Sequence, residues 1–212
     1  MATTDSAIMQ QVQYALIEPP DGGQSWPSGL WTREELFGLA TQAQDAFLYD
    51  TLLLVGIANL VVNASDNLIA LPTDWLRTVS VVWRGSDGTI TELQRSDTFE
   101  ADHAIPTWEL TDSSPIVYME DDVPGSLLMR IGPAPLVAGT IELLYIPAGT
   151  TLTGNGEILV LPDELAHVVK YGVLEGALSK DGRGKDAARA QYCHDRVQLA
   201  AEAAEIILKG WS

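Results

Sequence analysis

The chain has 212 residues, enough to bury a substantial core in one large domain or two small ones. Hydrophobic residues make up 46% of it, which argues against disorder, and the lone cysteine, Cys193, excludes an internal disulfide framework and fits a reducing compartment. Of the formal net charge of −17, residues 1–161 contribute 21 acids and 5 bases and residues 162–212 contribute 8 acids and 7 bases, so a nearly neutral end follows an acidic body ill suited to gripping phosphates.

Residues 1–30 are weakly patterned and read as an extended arm. Within it, Glu18-Pro-Pro-Asp-Gly-Gly-Gln-Ser-Trp-Pro-Ser-Gly29 is loop by composition. The opening Met-Ala-Thr-Thr-Asp lacks the basic start and apolar run of a secretion signal. Tyr14, Trp26 and Trp31 would let such an arm dock on another surface. Residues 31–58 hold a helix: Thr32 and Glu35 form a capping box, and Trp31 and Leu36 occupy the staple positions. Leu36, Leu39, Ala40, Ala43 and Phe47 then recur at helical spacing, to about Val55. The apolar run Leu52–Val62 is too short to cross a bilayer, so no membrane partner is expected.

From residue 59 to 160 the period changes to two. Strands are predicted at Asn59–Val62, Leu68–Leu71, Thr78–Arg84, Thr89–Gln94, Ile116–Met119, Ser126–Ile131 and Thr140–Ile146, with Gly85-Ser-Asp-Gly88 as a hairpin turn. Residues 161–212 return to helical spacing. Val168, Val169, Gly172, Val173, Gly176 and Ala177 form one stripe, and two glycines on a packed face imply that another backbone passes close. After the turn Lys180-Asp-Gly-Arg-Gly-Lys185 a second helix runs from about Asp186 to Lys209, with Tyr192, Leu199, Ala203 and Ile207 on one side. The expected fold class is therefore α+β: a terminal helical bundle, made of the N-terminal helix and a C-terminal helical hairpin, with a central antiparallel β-sandwich or barrel-like domain.

No catalytic constellation, cofactor motif or metal-ligand set emerges. His103, His167 and His194 lack the paired spacing of zinc helices. Glu120-Asp121-Asp122 reads as a solvated loop. Gly182-Arg-Gly-Lys185 is not a P-loop, since the spacing is wrong and no strand leads in; it reads as a tight turn or as a contact to an acidic surface or DNA. The candidate partner-binding residues are Trp26, Trp31, Lys180, Arg183, Lys185, Arg189 and Trp211.

Leu71-Pro-Thr-Asp-Trp-Leu-Arg-Thr-Val-Ser-Val-Val-Trp83, Leu161-Pro-Asp-Glu-Leu165, Tyr171-Gly-Val-Leu-Glu-Gly-Ala177, Lys180-Asp-Gly-Arg-Gly-Lys-Asp186 and Ala188-Arg-Ala-Gln-Tyr192, in this order of elements, resemble the head-to-tail adaptor (gatekeeper, or tubular-tail) proteins of tailed bacteriophages. The resemblance covers roughly residues 30–210, and the arm has no evident counterpart. It implies a structural virion protein, not an enzyme, assembled in the host cytoplasm. It further implies a homo-oligomeric ring, usually of twelve copies, between the portal protein and the next tail protein, a nozzle or tail tube component, through which viral DNA passes. Alternative readings are a tail or baseplate component that binds a host surface through the β domain, and a virion-associated hydrolase, which needs paired carboxylates at a catalytic separation.

Overall fold

The capping box forms: the Thr32 hydroxyl accepts the Glu35 N–H at 3.1 Å and the Glu35 carboxylate accepts the Thr32 N–H at 3.4 Å. It opens helix α2 (Arg33–Thr51) in a computed structural model that describes residues 2–16, 30–120 and 127–209. The helix stops short of Val55 because Leu52 takes a left-handed conformation, φ 54°, and closes the last turn by donating its N–H to Leu48. Residues 5–15, expected within an extended arm, are instead helix α1 (Asp5–Ala15). Its buried residues Asp5, Ile8, Met9 and Val12 fall at the three- and four-residue spacing of one helix face; the buried acid hid that pattern in the sequence.

The chain divides into two compact units. One joins the residues up to Leu53 to those from Ala148 onward; the other is Leu54–Pro147. Residues 148–160, expected in the β domain, thus belong to the helical unit. Gln44 draws them there. Its side chain is fully buried, its Nε2 donates to Thr150 O at 3.1 Å and its Oε1 accepts Val160 N–H at 3.2 Å. Asp45 and Thr41 accept the N–H groups of Gly149 and Leu152. Gln44→Leu keeps the volume but removes both bonds, leaving the part-buried Val160 N–H and the Thr150 C=O to find water, at up to about 1–3 kcal/mol in all. A lower urea midpoint is the expected result, and an unchanged one would show that this segment docks without the amide.

The helical unit is completed by α4 (His167–Ser179) and α5 (Ala187–Lys209), preceded by a 3-10 turn at Asp163–Leu165. The close approach read from the glycines is real. A Cβ on Gly172 would stand 2.5 Å from Ala43 Cβ, and one on Gly176 would stand 2.8 Å from Leu39 Cδ2, both on α2.

The other unit is a sandwich. One sheet has the order β1 (Gly56–Val62), β8 (Gly139–Pro147), β3 (Trp75–Gly85), β4 (Ile90–Glu92); the second has β2 (Leu68–Ala70), β7 (Leu128–Gly132), β6 (Val117–Met119), β5 (Gln94–Arg95). Val62, Val81, Trp83, Ile141 and Leu143 from the first and Ile69, Met129, Ile131 and Tyr118 from the second share one buried core. The Gly85–Gly88 hairpin turn forms with Gly88 at φ +89°, where glycine is favoured. The Asn63–Asn67 turn instead carries the chain from one sheet to the other, since β1 pairs with β8 and β2 with β7.

One pairing departs from the antiparallel expectation: β5 and β6 run parallel. Parallel neighbours need a long crossover, and the intervening residues supply it, including an unexpected helix α3 (Thr98–Ala104). Its sequence signal was present, since Asp97 caps it by accepting the Glu100 N–H at 2.7 Å. Among the described residues no helix is long and apolar enough to cross a membrane.

Candidate partner-binding surfaces

The turn between α4 and α5 brings the basic residues together in sequence but engages most of them within the chain. Lys180 Nζ lies 2.7 and 2.9 Å from the two Glu35 oxygens, and that ion pair holds the Glu35 carboxyl below its ordinary value. Lys185 pairs with Asp181 at 2.7 Å. Arg189 donates to Ala15 O at 2.7 Å, at the C-terminal end of α1 where a cation is favoured. Among the described residues only Arg183 of this group is exposed with no ion pair or hydrogen bond. Expected as one basic contact patch, these side chains act largely as internal ties.

Trp31 is engaged within the chain too. It is buried, its indole N–H donates to Ala177 O at 3.0 Å, and Gly184 is the residue whose missing side chain leaves room for its ring. The tryptophan that sequence reading offered to a partner locks α2 to α4. Trp26 and Trp211 lie outside the described residues, as do Asp121 and Asp122. Glu120, expected in a solvated loop, has a side chain only 6% exposed and pairs with Arg95 at 3.2 Å.

Each histidine has its own neighbour. His103 stacks on Phe99, His167 Nδ1 meets Glu164 O at 2.8 Å, and His194 Nδ1 meets Glu175 Oε1 at 3.0 Å. Among the described residues no group of three His, Cys, Asp or Glu side chains could hold a metal ion. Cys193 is buried, and that burial pushes its thiol up, away from the thiolate that nucleophilic chemistry needs.

Two carboxylates do come close, in a structural arrangement missed by sequence reading. The backbone N–H groups of Thr153 and Asn155 donate to Glu157 at 3.4 and 2.9 Å, while those of Gly154 and Gly156 donate to Asp5 at 2.7 and 3.2 Å. Successive amides thus alternate between the two acids, which the positive φ of both glycines permits. Hydrogen bonding to the Asp5 side chain, then to Thr153, holds the Glu157 carboxyl far below its ordinary value. With the Asp5 N–H bonded to Glu157 O, the arrangement fastens α1 to residues 153–157.

The surface left open is on α5. Toward α4 it buries Ala190, Cys193, Ala200 and Ala204, whose small side chains suit a close helix pair. The apolar side read from the sequence, Tyr192, Leu199, Ala203 and Ile207, faces outward. In the other unit Phe99, Leu110 and Leu136 are exposed.

No curated relative matches the sequence. A family model described as SU10 adaptor protein matches residues 3–206, so the match extends upstream of the span of the resemblance and takes in α1. Because it covers nearly the whole chain, this protein belongs to the SU10 adaptor family, as expected of a phage head-to-tail adaptor.

Proposed function

We propose that the chain is a virion protein that forms a ring at the head–tail interface, between the portal protein and a nozzle or tail tube component, with viral DNA passing through it. The observation that carries this reading is the adaptor-family match from residue 3 to residue 206. The role is mechanical and electrostatic: the helical unit meets the portal, the β unit offers a platform to the next tail protein, and a chain of −17 formal charge leaves DNA mobile. Imaging of native particles tests it. A ring of copies at the junction is expected. Copies at the tail tip would favour host-surface binding through the β unit instead.

The electrostatics carry a separate expectation. Lys180 and Lys185 stay about half exposed but each has a carboxylate beside it, from Glu35 and Asp181, which offsets the charge that a phosphate would meet. The free protein should bind duplex DNA weakly, without sequence preference, and less as salt rises. In a filter assay at about 150 mM salt, tight and salt-resistant binding would replace the conduit by a nucleic-acid-binding module.

A further inference from the structure

The sheet β1–β8–β3–β4 ends in two edges that match each other. Among the described residues nothing pairs with the outer side of β1 or of β4. β1 runs from Gly56 to Val62 without a charge, a proline or a bulge, so it lacks the devices that keep an exposed edge from pairing. Val61 of β1 is 81% exposed and Ile90 of β4 is 65% exposed. Asn59 and Glu92 are exposed beside them.

The ladder fixes which backbone groups face outward. Gly85 N–H donates to Thr89 O and Leu93 N–H to Val81 O, so strict alternation turns Ile90 and Glu92 away from β3. Ser86 N–H donates to Ala138 O, and the same alternation, carried across β8, turns Asn59 and Val61 away from β8. These outward residues also end common rows. Val61, Thr140, Arg84 and Ile90 stand opposite one another across the four strands, and Asn59, Glu142, Val82 and Glu92 form a parallel row two residues away. Every pairing in the sheet is antiparallel, so β1 and β4 run in opposite directions. A second copy that continues the sheet without any shift of register therefore sets its Ile90 against Val61 and its Glu92 against Asn59.

We propose that β4 of one copy pairs antiparallel with β1 of the next copy in this register, which makes the sheet continuous between neighbours. Each facing pair then exchanges both N–H···O bonds. Val61 and Ile90 cover each other, the Asn59 amide donates to the Glu92 carboxylate, and Leu60, half-buried at the margin of the core, meets Thr91. Of the six facing residues only Glu92 is charged, so no two charges stand opposite each other. The contact joins two different edges and propagates head to tail as a ring requires, whereas β1 against β1 or β4 against β4 would close at two copies. So short a ladder does not repay the association of free copies; it forms where copies are already held side by side. This rests on the ring reading and supplies an interface for it.

The test uses particles assembled with the full chain. Val61→Cys with Ile90→Cys puts thiols on facing residues of neighbouring copies, with Cα atoms about 5.5 Å apart and within disulfide reach. Within one copy the same positions are three strand spacings, about 14 Å, apart. Both sites are exposed, and the native Cys193 is buried. Oxidation is expected to give a ladder of multimers from the double variant and none from either single one. Val61→Cys with Glu92→Cys, two residues out of register, should link at least about tenfold less. In unmodified particles the amides of Asn59, Val61, Ile90 and Glu92 should exchange at least about tenfold more slowly than in the free monomer. Protection of one edge alone, or of neither, overturns the pairing even if the variants fail to assemble. A dimer from Val61→Cys alone, a link from residue 61 to a different virion protein, or assembled particles without the ladder also overturns it. A ring seen by imaging without these signals removes this interface and leaves the adaptor ring standing; particles without a ring remove both.

Discussion

Gly172→Leu is expected to separate α2 from α4 and to cost more than about 3 kcal/mol, above the usual range for added methylenes. The reason is rigidity. The nearest atom to an added Cβ is Ala43 Cβ at 2.5 Å, with Ala43 Cα behind it at 3.6 Å, so only backbone movement makes room. Even Gly172→Ala should lower stability, because overpacking of about 1–3 kcal/mol exceeds the helix preference of alanine, about 1 kcal/mol. Gly176 is the contrast. Its nearest neighbour is the end of the half-buried Leu39 side chain, which can rotate away. Gly176→Ala should therefore lie between neutral and about 1 kcal/mol stabilising. Denaturant midpoints of the two alanine variants decide between them: a Gly172 variant as stable as the wild type would show that the α2–α4 contact yields by helix shift.

The same pair of helices shows what the sequence made legible. Local signals survived intact: the Thr32–Glu35 box, the Gly85–Gly88 turn and the small-residue stripe of α4 each follow from short-range rules, and each is present. Signals that depend on the partner did not. Trp31 looked like a contact residue because its acceptor, Ala177 O, is 146 positions away. Helix α1 was read as arm because its inward face includes Asp5, whose acceptor role depends on the amides of residues 154 and 156. The apolar side of α5 was found, but its direction was hidden: period alone cannot say that a face of alanines packs inside while tyrosine and leucine remain outside. The ties of the basic turn were hidden for a related reason, since Glu35, Asp181 and the end of α1 meet its cations only once the chain has folded.

Asp5→Ala is expected to release α1 from residues 153–157. Asp5 is 2% exposed and accepts from two backbone amides, so its removal costs up to about 1–3 kcal/mol at the part-buried Gly154 N–H and less at the exposed Gly156. Asp5→Asn keeps the shape, retains at most one oxygen acceptor, and should be intermediate. Acid should produce the same release in the unmodified chain. The Glu157 carboxyl is lowered from its ordinary 4.5 by its hydrogen bonds to Asp5 and Thr153, and that of Asp163 from 3.8 by those from the Thr3 hydroxyl and backbone N–H. A carboxyl lowered by folding stabilises the fold above its unfolded value, and that contribution fades as pH falls through the folded one. Asp163 fastens Thr3 directly and Glu157 orders the turn whose amides serve Asp5, so the loss begins near pH 4.5 and 3.8 and grows below them. Asp45 has the opposite sign, since burial raises its carboxyl, but it sits on α2 and does not hold α1. Hydrogen exchange read helix by helix at pH 7 and pH 3 separates the outcomes: α1 should lose protection in acid and in Asp5→Ala at neutral pH, ahead of α4. Simultaneous loss across α1, α2 and α4 would mean that the unit opens as a whole and that Asp5 and Glu157 do not act as a separate clasp.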